Sequence, residues 1–214
     1  MVKAILFDFD GVICESSQVK TDAFNYVFND YPLSTEDIIA YHKAHEGISR
    51  DIKLKFICEE ILSVEYSEER RGKLLSDFAA FVDNKSKSLP LVKGVEEFLI
   101  NNKDSYEYFI VSGARQIEIE SYLKNNNLFE LFREIHDGSK SKSIIIEDIM
   151  TRYQWHPHEI VFIGDALTDL KAAEKLALPA FIARVYREGT PLSSCKYQIE
   201  DFLEIDALFD LQLV

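Results

Sequence analysis

The chain has 214 residues, 47% of them hydrophobic and 29% charged, which suits one domain, or one domain carrying an insertion, and is not a disorder-like composition. Its 37 acidic residues outnumber 24 Lys and Arg, and the net charge of −13 speaks against a nucleic-acid or membrane-surface role. Cys14, Cys58 and Cys195 are odd in number and far apart, a pattern of neither a disulfide framework nor a zinc site, so they read as reduced thiols of a cytoplasmic protein.

Residues 2–8 (VKAILFD) predict a buried strand ending in an acid. The short apolar stretch before Asp8 is not a signal-peptide core, and no uninterrupted apolar run approaches membrane-spanning length. Residues 17–87 then carry only helical patterns. Val19, Ala23, Tyr26 and Val27 form one stripe, Leu54, Ile57 and Ile61 a second, Leu75, Phe78 and Val82 a third. His42 and His45 read as half-exposed helix residues. The stretch Lys85-Ser86-Lys87-Ser88-Leu89-Pro90 reads as the linker out of this insertion.

Strands return at 106–112 (YEYFIVS), 159–165 (EIVFIGD) and 180–184 (AFIAR). Helical patterns lie between them, at Ile117, Tyr122 and Leu123, at Ile146, Ile149, Met150 and Tyr153, and at Leu170, Ala173 and Ala177. Near-continuous apolar strands alternating with helices predict an α/β fold with a doubly wound, Rossmann-like parallel sheet. The expected organisation is an α/β core of residues 1–16 and 88–214 with an inserted all-helical domain at 17–87. Ligands of such sheets bind outside the carboxyl ends of the strands. Asp8, Ser112 and Asp165 all fall at that edge.

Asp8 and Asp10 flank Phe9 at a strand end, and a turn at Gly11 can bring both carboxylates to one site. Cleaving a phosphate monoester needs a nucleophile, an acid for the leaving oxygen and a cation to offset charge. Asp8 can attack and Asp10 can serve as the acid, then as the base. Asp165 and Asp169 add carboxylates, the oxygen ligands that magnesium prefers.

Asp8-Phe9-Asp10-Gly11-Val12, Ser112-Gly113 after a strand, a Lys ahead of a helix, and Gly164-Asp165-Ala166-Leu167-Thr168-Asp169 resemble the four ordered motifs of the haloacid dehalogenase superfamily. The resemblance covers the whole chain, and the helical insertion looks like that superfamily's α-helical cap of the first type. It implies Asp8 as nucleophile and Mg2+ ligand, and Asp10 as acid/base with its backbone carbonyl on the metal. It further implies Asp165 as a metal ligand and Asp169 as a direct or water-mediated one. Ser112, with the Gly113 and Ala114 amides and the Gly11 turn, would bind the phosphoryl group. For the motif lysine there are two candidates, Lys140 and Lys142; Lys142 is preferred because it immediately precedes the expected helix.

His45-Glu46-Gly47-Ile48-Ser49-Arg50 is similar to turns in the caps of sugar-phosphate mutases and related phosphatases, which makes Arg50 a candidate to hold a second anionic group of the substrate. The expected activity is hydrolysis of a small phosphorylated metabolite by a monomer or homodimer in the cytoplasm. Two alternatives stand beside it: a sugar phosphomutase of the beta-phosphoglucomutase type, and a catalytically weak binding or regulatory relative. Lys53 and Lys55 carry no mark of burial in the sequence.

Overall fold

The computed structural model describes residues 1–45, 48–86, 89–186 and 190–210. Glu46 and Gly47 of the expected Arg50 turn, and Lys87 and Ser88 of the expected linker, lie outside the described residues. The chain divides into two compact units, Met1–Glu15 with Pro90–Val214, and Ser16–Leu89.

Among the described residues, the first unit is built on six parallel strands: β1 Ala4–Phe7, β2 Glu107–Val111, β3 Phe132–His136, β4 Ile160–Gly164, β5 Ala180–Arg184 and β6 Tyr197–Ile199. Their order is β3-β2-β1-β4-β5-β6. β1 is therefore central, and the order reverses between it and β4, which opens a crevice at the carboxyl ends of these two strands. In register, Phe7 pairs with Ile110 of β2 and with Ile163 of β4. Asp8 therefore leaves the sheet at the level where Gly164 ends β4 and Val111 ends β2.

Both faces of the sheet are covered, as the apolar runs demand. On one face Leu6, Phe109, Val111, Phe162 and Ala183 pack with Ile145, Ile146 and Ile149 of α7 (Lys142–Tyr153) and with Ala172 and Ala173 of α8 (Leu167–Lys175). On the other, Phe7 meets Tyr108, Phe132 and Phe202 ring to ring. Burying one Leu or Phe side chain in such a core contributes about 1.5–3 kcal/mol.

β3 and β6 were not expected. β3 reads Phe-Arg-Glu-Ile-His and leaves most of its side chains partly exposed at the sheet edge; β6 is three residues long at the opposite edge. Edge strands need not be apolar on both faces, so the pattern that marks central strands is missing from them.

Among the described residues the second unit is wholly helical. It comprises α1 Ser17–Val27, α2 Thr35–Ala44, α3 Arg50–Phe56 running into a π-helical turn at Ile57–Ile61, and α4 Glu68–Ser86. Ala23, Leu54, Ile57, Phe78 and Val82 of the expected stripes are buried together with Phe24, whereas Tyr26 of the first stripe is exposed. Asp51 of α3 accepts hydrogen bonds from Nε and Nη2 of Arg71 of α4, one edge of the guanidinium, and a 2.7 Å hydrogen bond from Tyr66. His42 is not half-exposed but buried, its ring 4.5 Å from that of Phe24 and its Nδ1 3.1 Å from the ammonium of Lys53, which is buried too.

Candidate active site

Three carboxylates converge in the crevice. Asp8 follows β1, Asp165 follows β4, and Asp169 lies in the first turn of α8. All three are buried, and one oxygen of each lies within 4.8 Å of the others. The local chain explains the convergence. Asp169 accepts a hydrogen bond from the Ala166 amide, so the side chain that caps α8 is turned back toward the strand end. Gly164 permits this approach, because a Cβ there would fall 2.4 Å from the Cβ of Asp169.

Asp8 is held by its neighbours in the same way. Its amide bonds to the Ile163 carbonyl of β4, and its Oδ1 accepts from the Phe9 amide at 2.7 Å. The chain then turns tightly, with the amides of Val12, Ile13 and Cys14 all directed at the Phe9 carbonyl. Gly11 sits in this turn at φ +72°, a left-handed conformation that favours glycine. The half-buried Asp10 is in the turn as well, and its carboxylate is not part of the three-carboxylate cluster.

Lys142, the first residue of α7, is buried and places its ammonium 2.7 Å from Asp8 Oδ2 while also bonding to Asp169. Lys140 is exposed and lines a separate surface cleft with His136, Asp137 and Asp148. Burial alone would lower the pKa of Lys142, but the charges of Asp169 and Asp8 outweigh it and hold the ammonium protonated above the ordinary lysine range. Burial moves Asp169 the other way, raising its pKa against the pull of Lys142 and with the Asp8 charge adding to the rise. A site in which carboxylates are both buried and adjacent favours an additional cation.

Ser112 follows β2 and is buried, its amide bonded to the His136 carbonyl. Its hydroxyl accepts a 3.2 Å hydrogen bond from the Ala114 amide. The helix after this loop, α6 (Gln116–Asn125), begins beyond Gly113 and Ala114, which lie in the loop and not in a helical first turn. Arg50 begins α3 in the helical unit, with its guanidinium 4.1 Å over the Phe78 ring.

Two residues near the carboxylates were not singled out from sequence. Tyr186 donates a 2.8 Å hydrogen bond to Asp165 Oδ2. Arg184, buried at the end of β5, donates to the Gly11 carbonyl at 2.8 Å, to both carboxylate oxygens of Glu15 and to the Glu200 carbonyl. A guanidinium closing an otherwise apolar strand was the one available signal for Arg184; the sequence around Tyr186 held none.

The model of the haloacid dehalogenase-like hydrolases matches residues 5–183, from β1 through β5. The chain belongs to this family. A phosphoglycolate phosphatase of Synechococcus elongatus is 25% identical over 183 residues, covering 84% of this chain and 82% of its own. Among solved structures, a predicted phosphoglycolate phosphatase from Haemophilus somnus superposes with a TM-score of 0.80 at 19% identity, covering 97% of this chain and 98% of its own. The beta-phosphoglucomutase of Clostridium difficile gives a TM-score of 0.78 at 18% identity, covering 100% and 97%. At such identities these two structures speak to the fold alone.

Proposed function

We propose that the chain is a magnesium-dependent phosphatase that hydrolyses the phosphate monoester of a small cytoplasmic metabolite through an aspartyl-phosphate. The observation that carries this reading is the cluster of Asp8, Asp165 and Asp169 at the switch point of the sheet, with Lys142 bonded to two of them. The curated relative named above, a phosphoglycolate phosphatase, supports the reaction class and makes a phosphorylated hydroxy acid a first substrate to try.

The donor set fits magnesium, since it consists of carboxylate oxygens with no nitrogen or sulfur ligand in the cluster. Asp8, Asp165 and Asp169, with the Asp10 carbonyl, would hold the ion, and the ion when bound would offset the charge of the phosphoryl group. The remaining chemistry belongs to the chain. A carboxylate oxygen of Asp8 attacks phosphorus as the bond to the ester oxygen breaks, and Asp10 gives its proton to that oxygen. Water then attacks the phosphorus of the aspartyl-phosphate, Asp10 takes the water's proton, and phosphate leaves with Asp8 regenerated. Ser112 and Lys142 hold the phosphoryl oxygens through the transfer. Substrate choice is assigned to the helical unit, with Arg50 as the anchor for a second anionic group.

A panel of phosphate esters assayed with magnesium tests the reading, with Asp8→Asn beside the parent chain. Release of inorganic phosphate by the parent, lost in a folded Asp8→Asn protein, is the expected result. Undiminished turnover in that variant removes Asp8 as nucleophile. Conversion of a sugar monophosphate to its isomer without phosphate release would make the protein a mutase, and no turnover of any ester would favour a binding role.

A further inference from the structure

We propose that Tyr186 is a positioning residue for the metal site, a reading that rests on the magnesium assignment above: its hydroxyl fixes the Asp165 carboxylate in the orientation that receives the cation. A carboxylate attached through one Cβ–Cγ bond rotates freely unless something holds one of its oxygens. Asp165 is held at Oδ2 from two sides. Tyr186 donates to that oxygen at 2.8 Å, and the Gly11 backbone packs so close that a Cβ there would fall 2.0 Å from it. A neutral hydroxyl is suited to this role, because it fixes the carboxylate and leaves its negative charge available to the ion. Hydrogen bonds to ligating groups are the usual means by which a protein orients its metal ligands.

Tyr186 is itself fixed from β5. The Arg184 guanidinium lies 4.2 Å from the centre of the Tyr186 ring. Arg184 cannot swing away, because Glu15 binds it at 2.5 and 3.1 Å while the Gly11 and Glu200 carbonyls accept from it at 2.8 Å each. The pairing of β5 with β6 continues past Arg184, where the Val185 amide bonds to the Ile199 carbonyl at 2.8 Å, so the backbone leading to Tyr186 is anchored as well. An unbroken series of contacts thus runs from Glu15 through Arg184 and Tyr186 to Asp165. It ties the turn that carries Asp10 and Gly11 to the end of β4, and so sets two parts of the metal site against each other.

The test is Tyr186→Phe, which keeps the ring and its stacking on Arg184 and removes only the hydroxyl. Metal-free protein titrated with Mg2+ in a calorimeter should show a dissociation constant about tenfold higher in the variant, the low end of what loss of such a support costs. The thermal midpoint without metal should change little beside this loss of affinity. This split separates positioning of the metal ligand from general support of the fold, which would lower the midpoint. Equal affinity in parent and variant overturns the inference while leaving the magnesium site intact. Absence of any binding heat in the parent overturns the magnesium reading and this inference with it.

Discussion

Lys142 and Asp8 lie 2.7 Å apart with both side chains buried, and the same ammonium engages Asp169. One cation from the first turn of α7 thereby offsets carboxylates contributed by β1 and α8. Lys142→Ala would strand two buried carboxylates. Breaking a buried ion pair in this way costs about 3–5 kcal/mol, so chemical denaturation without metal should show a loss of that order. With magnesium present the loss should be smaller, because the ion supplies charge that the lysine no longer does. Turnover should fall by a factor of about 100 or more, the scale seen when one charge-stabilising group is removed from an active site.

Gly11→Ala should damage the metal site more than the fold. The residue sits at φ +72°, and a methyl group would fall 2.0 Å from Asp165 Oδ2 and 3.0 Å from the Tyr186 hydroxyl. Backbone strain of this kind costs about 1–3 kcal/mol, and Asp165 must move to make room. The expected outcome is a lowered thermal midpoint together with weakened Mg2+ binding, read by melting and by calorimetry on one preparation.

Chelation should abolish turnover, and added magnesium should restore it. Binding to the folded state alone stabilises by about 2.7 kcal/mol at a hundredfold excess over the dissociation constant. The thermal midpoint of the parent should therefore rise with magnesium, whereas that of Asp165→Ala should rise little or not at all. A midpoint in the parent that ignores magnesium would contradict the metal assignment.

Acid should act on a second place, the junction of β3 with α7. Hydrogen bonds from Arg152 depress the pKa of Glu134 from its ordinary 4.5 to about 2, with Tyr153 and His136 assisting against burial. A depressed carboxylate contributes stability that is present above its unfolded value and is lost as pH falls through the folded one. Glu134→Gln should thus cost stability at pH 7, about 1 kcal/mol given the partial exposure of Arg152. The gap between parent and variant should close between pH 4.5 and pH 2, as followed by urea denaturation across that range.

The sequence revealed what burial on both sides makes repetitive. β1, β2, β4 and β5 stand in the middle of the sheet and announce themselves as apolar runs, and the acids after β1 and β4 then mark the crevice. Edge strands such as Phe132–His136 carry no such run. Tyr186 and Arg184 were invisible for a different reason. Their partners Asp165, Gly11 and Glu15 are up to 173 positions away, and nothing in a tyrosine or arginine states what it will meet after the chain folds. Burial of Lys53 beside His42 was hidden likewise, since a lysine enters an apolar core only when distant residues accommodate it.

The two points where the chain leaves and re-enters the α/β unit are bonded side by side: the Glu15 amide donates to the Pro90 carbonyl, and the Val92 amide to that of Ile13. To the sheet, everything between them is a loop whose ends already touch. Insertions of this sort change in length at little entropic cost to the body that carries them, since loop closure grows only with the logarithm of length. The helical unit could be exchanged for a longer, shorter or differently shaped one while Asp8, Lys142 and Asp165 kept their places. A family built on this junction can keep one reaction and change what it acts upon by replacing a single contiguous stretch of chain.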